Sequence, residues 1–347
     1  MSKLKMIKIK DFLELITDYH SNGSYETLKK NVQLLDKEDY AIIIRTLNFE
    51  RNDFKKEVLY VTKEAYNFLK KSYVLPNDIL MNKISNAGSI YLMPNIEKPV
   101  TCGMNLFVLR FNNKVNQRYM FYNMKNVEDY IKNFSHGTTT TTITKEEVKN
   151  IILHIHDRKE QDKIEYILTA LDNKIELNNK MNSELENMAK TIYDYWFLQF
   201  EFPNDEGKPY KSSGGKMIWN EELKKEIPEG WEVNKLEKYI KLERGISYTS
   251  KNIENKLGIP MINLASIDIN KNYRPNELKF YEGKYNSQKE VFFGEMLIAC
   301  TDLTRNADII GSPILVPNDK EKYIYSMDLV KINLTDININ PYYLYMR

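Results

Sequence analysis

The sequence predicts an α+β protein in which two similar α/β domains are joined by one long coiled-coil-type α-helix. Three observations predict this fold class. Residues 159–197 contain no Pro or Gly and carry apolar side chains at a seven-residue spacing. Blocks of the first 150 residues recur, in the same order, after residue 231. Both copies contain short runs of β-branched and aromatic residues, which are typical of strands.

The first domain is predicted over residues 1–150. Thr62 is expected to cap a helix over residues 62–70, and Thr144 a short helix that follows it. Five threonines after Gly137 favour a loop or edge strand rich in hydroxyl groups. The predicted strands are Tyr40–Arg45, Val58–Val61, Ile79–Asn82, Ile90–Met93, Asn105–Phe111 and Asn150–His156.

The central helical spacer is predicted over residues 151–202. At 1.5 Å per residue, the helix within it would be roughly 55–60 Å long. Its apolar stripe contains one polar pair, Lys174 and Asn178, which could fix the register of a paired helix. The stripe residues expected to contact a partner are Ile164, Ile167, Leu171, Ile175, Asn178, Met181, Leu185, Met188 and Ile192.

A turn-rich linker is predicted over residues 203–230 and the second domain over 231–347. Met104-Asn105-Leu106 recurs as Met327-Asp328-Leu329, 223 positions later. The segment around Ile44 recurs around Ile262 at an offset of 218. Three further blocks recur at offsets within six residues of these, so the sequence predicts an internal duplication.

Composition narrows the class of protein. The formal net charge is only +2, so binding to nucleic acid would depend on local basic patches. Two cysteines give no disulfide or zinc framework. No apolar run is long enough to span a membrane, and the N-terminus lacks the pattern of a signal peptide. We therefore expect a cytoplasmic protein that does not bind membranes.

No motif in the sequence predicts a catalytic or metal site. Gly207–Met217 contains glycines and a lysine, but their spacing differs from that of a phosphate-binding loop. Asn340–Tyr343 faintly resembles a methyltransferase motif, but no Gly-rich cofactor loop accompanies it. His154 and His156 lie on one side of a predicted strand without a nearby third ligand. A binding protein is the interpretation that remains.

Two similar domains on a rigid spacer suit a regular partner such as double-stranded DNA. Polar residues that follow equivalent strands are the candidates for contacts with bases or phosphates. In the first copy these are Arg45, Asn48, Arg51, Lys83, Ser85, Asn86 and the Gly137–Thr142 loop, including Gly137, Thr138 and Thr139. In the second copy they are Asn263, Ser266, Thr301, Asp302, Thr304, Arg305 and Asn306.

Three segments resemble the central region of the specificity subunit of type I restriction-modification enzymes. They are D-x-K-I-E-L-N-N-K (172–180), M-A-K-x-I-Y-x-Y-W-F (188–197) and IPEGW (227–231). The flanking copies resemble the two target recognition domains of that family. The familiar Pro-rich junction before the helix is replaced here by HIHDRKEQDKI, which keeps Glu160 and Gln161.

The resemblance implies a non-catalytic subunit that reads a bipartite DNA target and docks modification (methyltransferase) and restriction subunits. S-adenosylmethionine, ATP and Mg²⁺ would then belong to those partner subunits, with no cofactor in this chain. The second helix of the family is missing, so we expect a C-terminally truncated form with an incomplete second recognition domain.

The resemblance leaves several alternatives open. The uncovered helix could pair with a second copy, bind a modification subunit or bind a separate fragment of a specificity subunit. The chain could also be a silent, truncated specificity cassette. A coiled-coil scaffold that binds other proteins is the rival from another functional class.

Overall fold

The computed structural model describes residues 4–137, 139–254, 258–268, 273–302, 307–336 and 338–346. The chain divides into two compact units, Met1–Lys180 and Met181–Arg347, so the division falls within the long helix. Each unit contains its own hydrophobic cores. The sequence predicts domain boundaries at residues 150, 202 and 230.

The first unit is rich in short strands. They are β1 (Lys5–Lys8), β2 (Leu13–Asp18), β3 (Ala41–Ile44), β4 (Leu59–Val61), β5 (Tyr73–Val74), β6 (Ile79–Asn82), β7 (Ile84–Ser85), β8 (Ile90–Leu92), β9 (Val100–Cys102), β10 (Leu106–Phe111), β11 (Thr141–Thr142) and β12 (Ile152–Ile155). Its helices are α1 (Tyr25–Asn31), α2 (Thr46–Glu50), α3 (Lys63–Phe68), α4 (Gln117–Asn126), α5 (Glu128–Lys132), α6 (Lys145–Asn150) and the first part of α7 (Arg158–Tyr193). Short 3₁₀ turns lie at Ile9–Asp11, Tyr19–Asn22 and Lys70–Ser72.

Two four-stranded sheets face each other in the first unit. One has the antiparallel order β2-β10-β6-β8, and the other has the order β4-β3-β9-β5 with β3 and β9 parallel. Side chains alternate along β6, so Leu80 packs between the sheets while Ile79 and Met81 pack on the opposite face with α4. Strand β12 pairs with β1 and so joins this unit, beyond the predicted boundary at residue 150.

The second unit begins within α7, which ends in a π-helical turn at Asp194–Leu198. Its strands are β13 (Met217–Asn220), β14 (Lys225–Pro228), β15 (Ile240–Arg244), β16 (Ile253–Glu254), β17 (Ile259–Ile262), β18 (Lys279–Tyr281), β19 (Glu290–Val291), β20 (Met296–Ala299), β21 (Pro313–Leu315), β22 (Tyr323–Tyr325) and β23 (Leu329–Leu334), followed by α8 (Pro341–Met346). Its 3₁₀ turns are Leu236–Lys238, Ser250–Asn252, Leu264–Ser266, Pro275–Glu277 and Ser287–Lys289.

The two units have matching sheets. The order β15-β23-β20-β21 repeats β2-β10-β6-β8, and β18-β17-β22-β19 repeats β4-β3-β9-β5. The parallel pair recurs as well, because β17 and β22 are parallel. Helix α8 follows β23 as α4 follows β10. These matches confirm the predicted duplication.

The local signals in the sequence are confirmed where the partners are close along the chain. Thr62 Oγ1 accepts the Ala65 N–H at 3.2 Å, and Thr144 forms a capping box with Glu147. Helix α7 has 36 residues and contains the predicted seam. The predicted linker differs, because β13 and β14 form a hairpin within it. Asn220 closes that hairpin by accepting N–H groups of Glu222 and Leu223.

Candidate nucleic-acid interface

A cleft of about 380 Å³ opens in the first unit beside the ends of β3 and β6. Inside it, Arg45 donates from Nη2 to the Glu57 carbonyl at 3.0 Å, while its buried Nε has no hydrogen-bond partner. Several predicted contact residues therefore share one depression. The residues that line it are Tyr19, Leu34, Ile43, Arg45, Thr46, Leu47, Glu50, Asn82, Ile84, Ser85, Asn86, Gly103, Met104 and Asn105.

The predicted threonine loop lies against this side of the unit. Strand β11 pairs with β7, so Thr141 is opposite Ser85 and the two predicted contact segments form one two-stranded ribbon. The backbone groups of His136 and Thr142 exchange hydrogen bonds of 2.8 and 2.7 Å, which closes the loop. Gly137 has a φ of +117°, and a Cβ there would lie 2.3 Å from the Thr140 carbonyl oxygen. A side chain at position 137 would therefore distort the loop.

A buried ionic cluster lies at the base of the ribbon. Asp18, at the end of β2, accepts hydrogen bonds of 2.7 Å from Lys83, Lys145 and Ser21. Burial raises the pKa of Asp18, but the hydrogen bonds from Lys145, Lys83 and Ser21 outweigh it, so the pKa falls well below its ordinary value. His20 lies at the edge of the cluster, and its Nδ1 is 3.3 Å from Lys83 Nζ. Burial and then the charge of Lys83 lower the pKa of His20.

The strand-to-helix junction of the first unit recurs in the second. Asn48 Oδ1 accepts the Arg45 N–H at 3.0 Å, and Ser266 Oγ accepts the Asn263 N–H at 3.2 Å. The first pair follows β3, which is parallel to β9, and the second pair follows β17, which is parallel to β22. The sequence prediction therefore found equivalent positions in the two copies.

Four of the predicted contact residues are buried and form hydrogen bonds within the protein. Asn48, Asn263 and Ser266 are buried, and their side chains form hydrogen bonds within their turns and, for Asn263, also to the Glu277 carbonyl. Lys83 is also buried, because its ammonium group is held by Asp18. The side chains of Asn48, Asn263 and Ser266 support the turns that follow β3 and β17, whereas the ammonium group of Lys83 supports Asp18.

Other predicted contact residues remain accessible. Ser85, Asn86, Gly137 and Thr139 are exposed, and so is Arg51, which forms an ion pair with Glu57. In the second unit, Thr301 donates to Asp328 at 3.0 Å. Asp302 accepts the N–H groups of Ile309 and Ile310. The predicted residues Thr138, Thr304, Arg305 and Asn306 lie outside the described residues.

Sequence reasoning missed Asp18, Lys145 and Glu147. One signal was present, because Lys145 occupies the first turn of α6, where the helix dipole disfavours a cation. Its ion pair with Asp18 explains the exception. Asp18 itself ends an ordinary apolar run and gave no signal.

The apolar stripe of α7 is uncovered over most of its length. Ile164 is the exception, since it packs against the core of the first unit. Asn178 is exposed, as are seven apolar members that are 47–59% accessible. These are Ile167, Leu171, Ile175, Met181, Leu185, Met188 and Ile192.

Metal-binding and membrane-spanning features are two further possibilities for the described residues. Within the described ranges, no group of three or more His, Cys, Asp or Glu side chains is placed to hold a metal ion. No helix in the same ranges is both long and apolar enough to cross a membrane. Two copies of one two-sheet fold, with polar loops after equivalent strands, define a duplicated two-domain binding protein.

Comparison with known proteins identifies the family. The family model described as type I restriction modification DNA specificity domain matches residues 1–187. The specificity subunit of type I restriction enzyme MjaIX from Methanocaldococcus jannaschii is 27% identical over 254 residues, covering 68% of this chain and 56% of the relative. The putative MjaX specificity subunit from the same organism is 30% identical over 268 residues, covering 74% of this chain and 57% of the relative. The chain therefore belongs to the family of type I restriction-modification DNA specificity proteins.

A solved structure has a similar fold. The S subunit of a type I restriction-modification system from M. genitalium aligns with a TM-score of 0.50 at 13% identity, covering 99% of this chain and 76% of the other. At that identity the likeness supports the fold alone. The chain spans little more than half the length of the curated relatives described above.

Proposed function

We propose that this chain is a specificity subunit that reads a bipartite DNA sequence, with one half-site read by each unit. The observation that carries the proposal is the repeated strand order of the two units, with polar loops after equivalent strands, in a member of this family. One fold used twice suits two half-sites of one regular polymer. The chain itself would carry out no chemistry and would act in the cytoplasm.

The long helix supports a spacer role. A continuous helix of 36 residues is about 54 Å long, which exceeds one turn of B-DNA at about 34 Å. It bounds the gap between half-sites without fixing it. The proposed contacts of the first unit are Arg45, Ser85 and Asn86, which line the cleft, and the exposed Thr139 of the threonine loop.

The exposed stripe supports a partner on α7. Contiguous apolar surface on a helix marks a binding site. We propose that modification subunits, a second copy of this chain or a separate specificity fragment cover it, and that a restriction subunit joins the assembly. S-adenosylmethionine, ATP and Mg²⁺ would be bound by those partners rather than by this chain.

Co-expression with the modification subunit, followed by genome-wide mapping of methylated adenines, tests the function. A bipartite motif with a fixed gap is the expected result. A palindromic motif would contradict the assignment of one half-site to each unit and indicate two chains that each present the first unit. If the subunits co-purify and no adenine is methylated, the proposed function is wrong and the silent cassette remains.

Two measurements on the isolated chain distinguish DNA binding from a protein scaffold and test pairing through α7. DNA binding should weaken steeply as salt increases, since phosphate contacts release counterions. Binding to a protein through the apolar stripe should be far less sensitive to salt. Sedimentation tests the paired form, and a folded monomer would exclude pairing of α7 with a second copy.

A further inference from the structure

Asp18 joins three segments that are distant in sequence. Its Oδ2 accepts a hydrogen bond from Lys83 Nζ at 2.7 Å. Its Oδ1 accepts hydrogen bonds from Lys145 Nζ and Ser21 Oγ, each at 2.7 Å. Lys145 also donates to Ser21 Oγ at 2.8 Å. Asp18 is 6% accessible and Lys83 is 9% accessible. One carboxylate therefore holds two ammonium groups at the end of β2.

These two lysines flank the same end of the antiparallel β7–β11 ribbon, one on each strand. Lys83 immediately precedes β7, and Lys145 begins α6 just after β11. The Ile143 N–H donates to the Lys83 carbonyl at 3.1 Å and continues the pairing. Asp18 thus fixes both strands of the ribbon at one point on the main sheet.

A second contact fixes the loop that the ribbon carries. His136 Nε2 lies 2.5 Å from Glu147 Oε1. The same side chain of Glu147 accepts the Thr144 N–H at 2.6 Å, so α6 is tied to both sides of the loop. The exposed Ser85, Asn86 and Thr139 extend from a ribbon whose base is held by buried charge.

Breaking one partner of a buried ion pair leaves the other charge without compensation. Loss of the Asp18 carboxylate would leave two ammonium groups close together, and they would repel each other. The segments that can separate are those that carry them, β7 and the start of α6. The damage would therefore be concentrated in the ribbon.

We propose that Asp18 is a positioning residue for sequence discrimination: through Lys83 and Lys145 it fixes the β7–β11 ribbon that presents Ser85, Asn86 and Thr139 to DNA. The proposal rests on the proposed function. It assigns Lys83 to the support of the ribbon rather than to contact with a base. It also predicts that damage to the cluster will relax one half-site only.

Asp78 provides a matched control. It is 2% accessible, lies beside β6 of the same sheet and accepts two hydrogen bonds from Arg110 at 2.8 and 2.6 Å. Its other bond is to the Leu75 N–H, away from the ribbon. Asp78→Asn therefore damages a buried ion pair of similar chemistry without touching β7 or β11.

The test compares Asp18→Asn with Asp78→Asn in the full chain co-expressed with the modification subunit. Asp18→Asn should lower discrimination at one half-site roughly tenfold and leave the other half-site unchanged. Asp78→Asn should lower total methylation at most, with both half-sites still sharply defined. Unchanged discrimination in Asp18→Asn, or equal relaxation in both variants, would overturn the proposal.

Hydrogen exchange of the free chain tests, without DNA, the clamp formed by Asp18 with Lys83 and Lys145. Asp18→Asn should speed exchange of the Thr142 and Ile143 amides, whereas Asp78→Asn should not. Lys145→Met, at a side chain that is 33% accessible, removes one arm of the clamp and keeps the test valid if Asp18→Asn fails to fold. Unchanged exchange in Lys145→Met would contradict the clamp. If exchange is faster in the variants but the wild-type complex methylates no adenine, the support of the ribbon by Asp18 stands and the proposed function is wrong.

Discussion

The two units hold their loops in different ways although they share one fold. Phe107 and Val330 are equivalent residues at the offset of 223. Phe107 pairs with Asp18 on one edge strand and Val330 pairs with Arg244 on the other, so Arg244 is the counterpart of Asp18. Arg244 is exposed, and no ion pair involves it among the described residues. The buried carboxylate of the first unit is therefore absent from the same position of the second.

The loops between the equivalent strands also differ in length. Residues 83–89 join β6 to β8, whereas residues 300–312 join β20 to β21, so the second loop is six residues longer. The shorter loop pairs with the threonine loop and is anchored by Asp18. In the longer loop Asp302 accepts the N–H groups of Ile309 and Ile310, and Thr301 donates to Asp328. A duplicated fold can thus keep its sheets and vary the support of its loops.

The largest expected effect comes from removing the Asp18 carboxylate, whose position is occupied by Arg244 in the second unit. Asp18→Ala leaves two ammonium groups without their anion and should lower the free energy of unfolding of the first unit by about 3–5 kcal/mol. Arg244→Ala should change the free energy of unfolding of the second unit by less than about 0.5 kcal/mol. Hydrogen exchange measures each unit separately.

Tryptophan fluorescence provides an internal control for that experiment. Trp196, Trp219 and Trp231 all lie in the second unit. Their transition should therefore stay in place in Asp18→Ala. Equal losses of stability in Asp18→Ala and Arg244→Ala would show that these two equivalent positions do not differ as described.

The next effect compares the equivalent turns. Asn48 makes three hydrogen bonds, since Oδ1 accepts the Arg45 N–H and Nδ2 donates to the carbonyls of Asp53 and Glu57. Asn48→Ala should destabilise the first unit by about 2–3 kcal/mol, because buried backbone groups lose their partners. Ser266→Ala removes fewer bonds and should cost about 1 kcal/mol. Denaturant titration followed by hydrogen exchange gives both values, and a larger loss in Ser266→Ala would contradict this order.

A smaller effect tests the loop after β20. Asp302→Ala should destabilise the loop after β20 by about 1–2 kcal/mol, seen as faster exchange of the Ile310 amide. Thr301→Val removes a single bond to Asp328 and serves as the neighbouring control. Exchange in the β7–β11 ribbon should not change in either variant. Faster exchange there would mean that the loop of the second unit is not supported independently.

Much of the fold could be predicted from sequence because its signals are local. Strand Ile79–Asn82 and the Thr62 cap depend on neighbours within a few residues, and both are confirmed. The candidate contacts were harder, since burial of a polar side chain depends on partners far along the chain. Lys83 and Lys145 meet Asp18 across 65 and 127 positions. A polar residue after a strand has the same sequence signature whether it faces a ligand or supports its own turn.

The smallest expected effect is a pH dependence confined to the first unit. His20 is surrounded by Lys83, Asp18 and Lys145. Since Arg244 is equivalent to Asp18, the residue equivalent to His20 is Ile246. Burial first, and then the charge of Lys83, lower the pKa of His20 below its ordinary value of 6.5. The unfolded chain therefore binds this proton more tightly than the folded chain, so stability falls as the pH drops below 6.5 towards the folded pKa. Thermal unfolding at pH 7.5 and 5.5 should show a smaller loss in His20→Asn than in the wild type, whereas Ile246→Val should keep the wild-type difference. Equal losses in wild type and His20→Asn would assign the pH dependence to other groups.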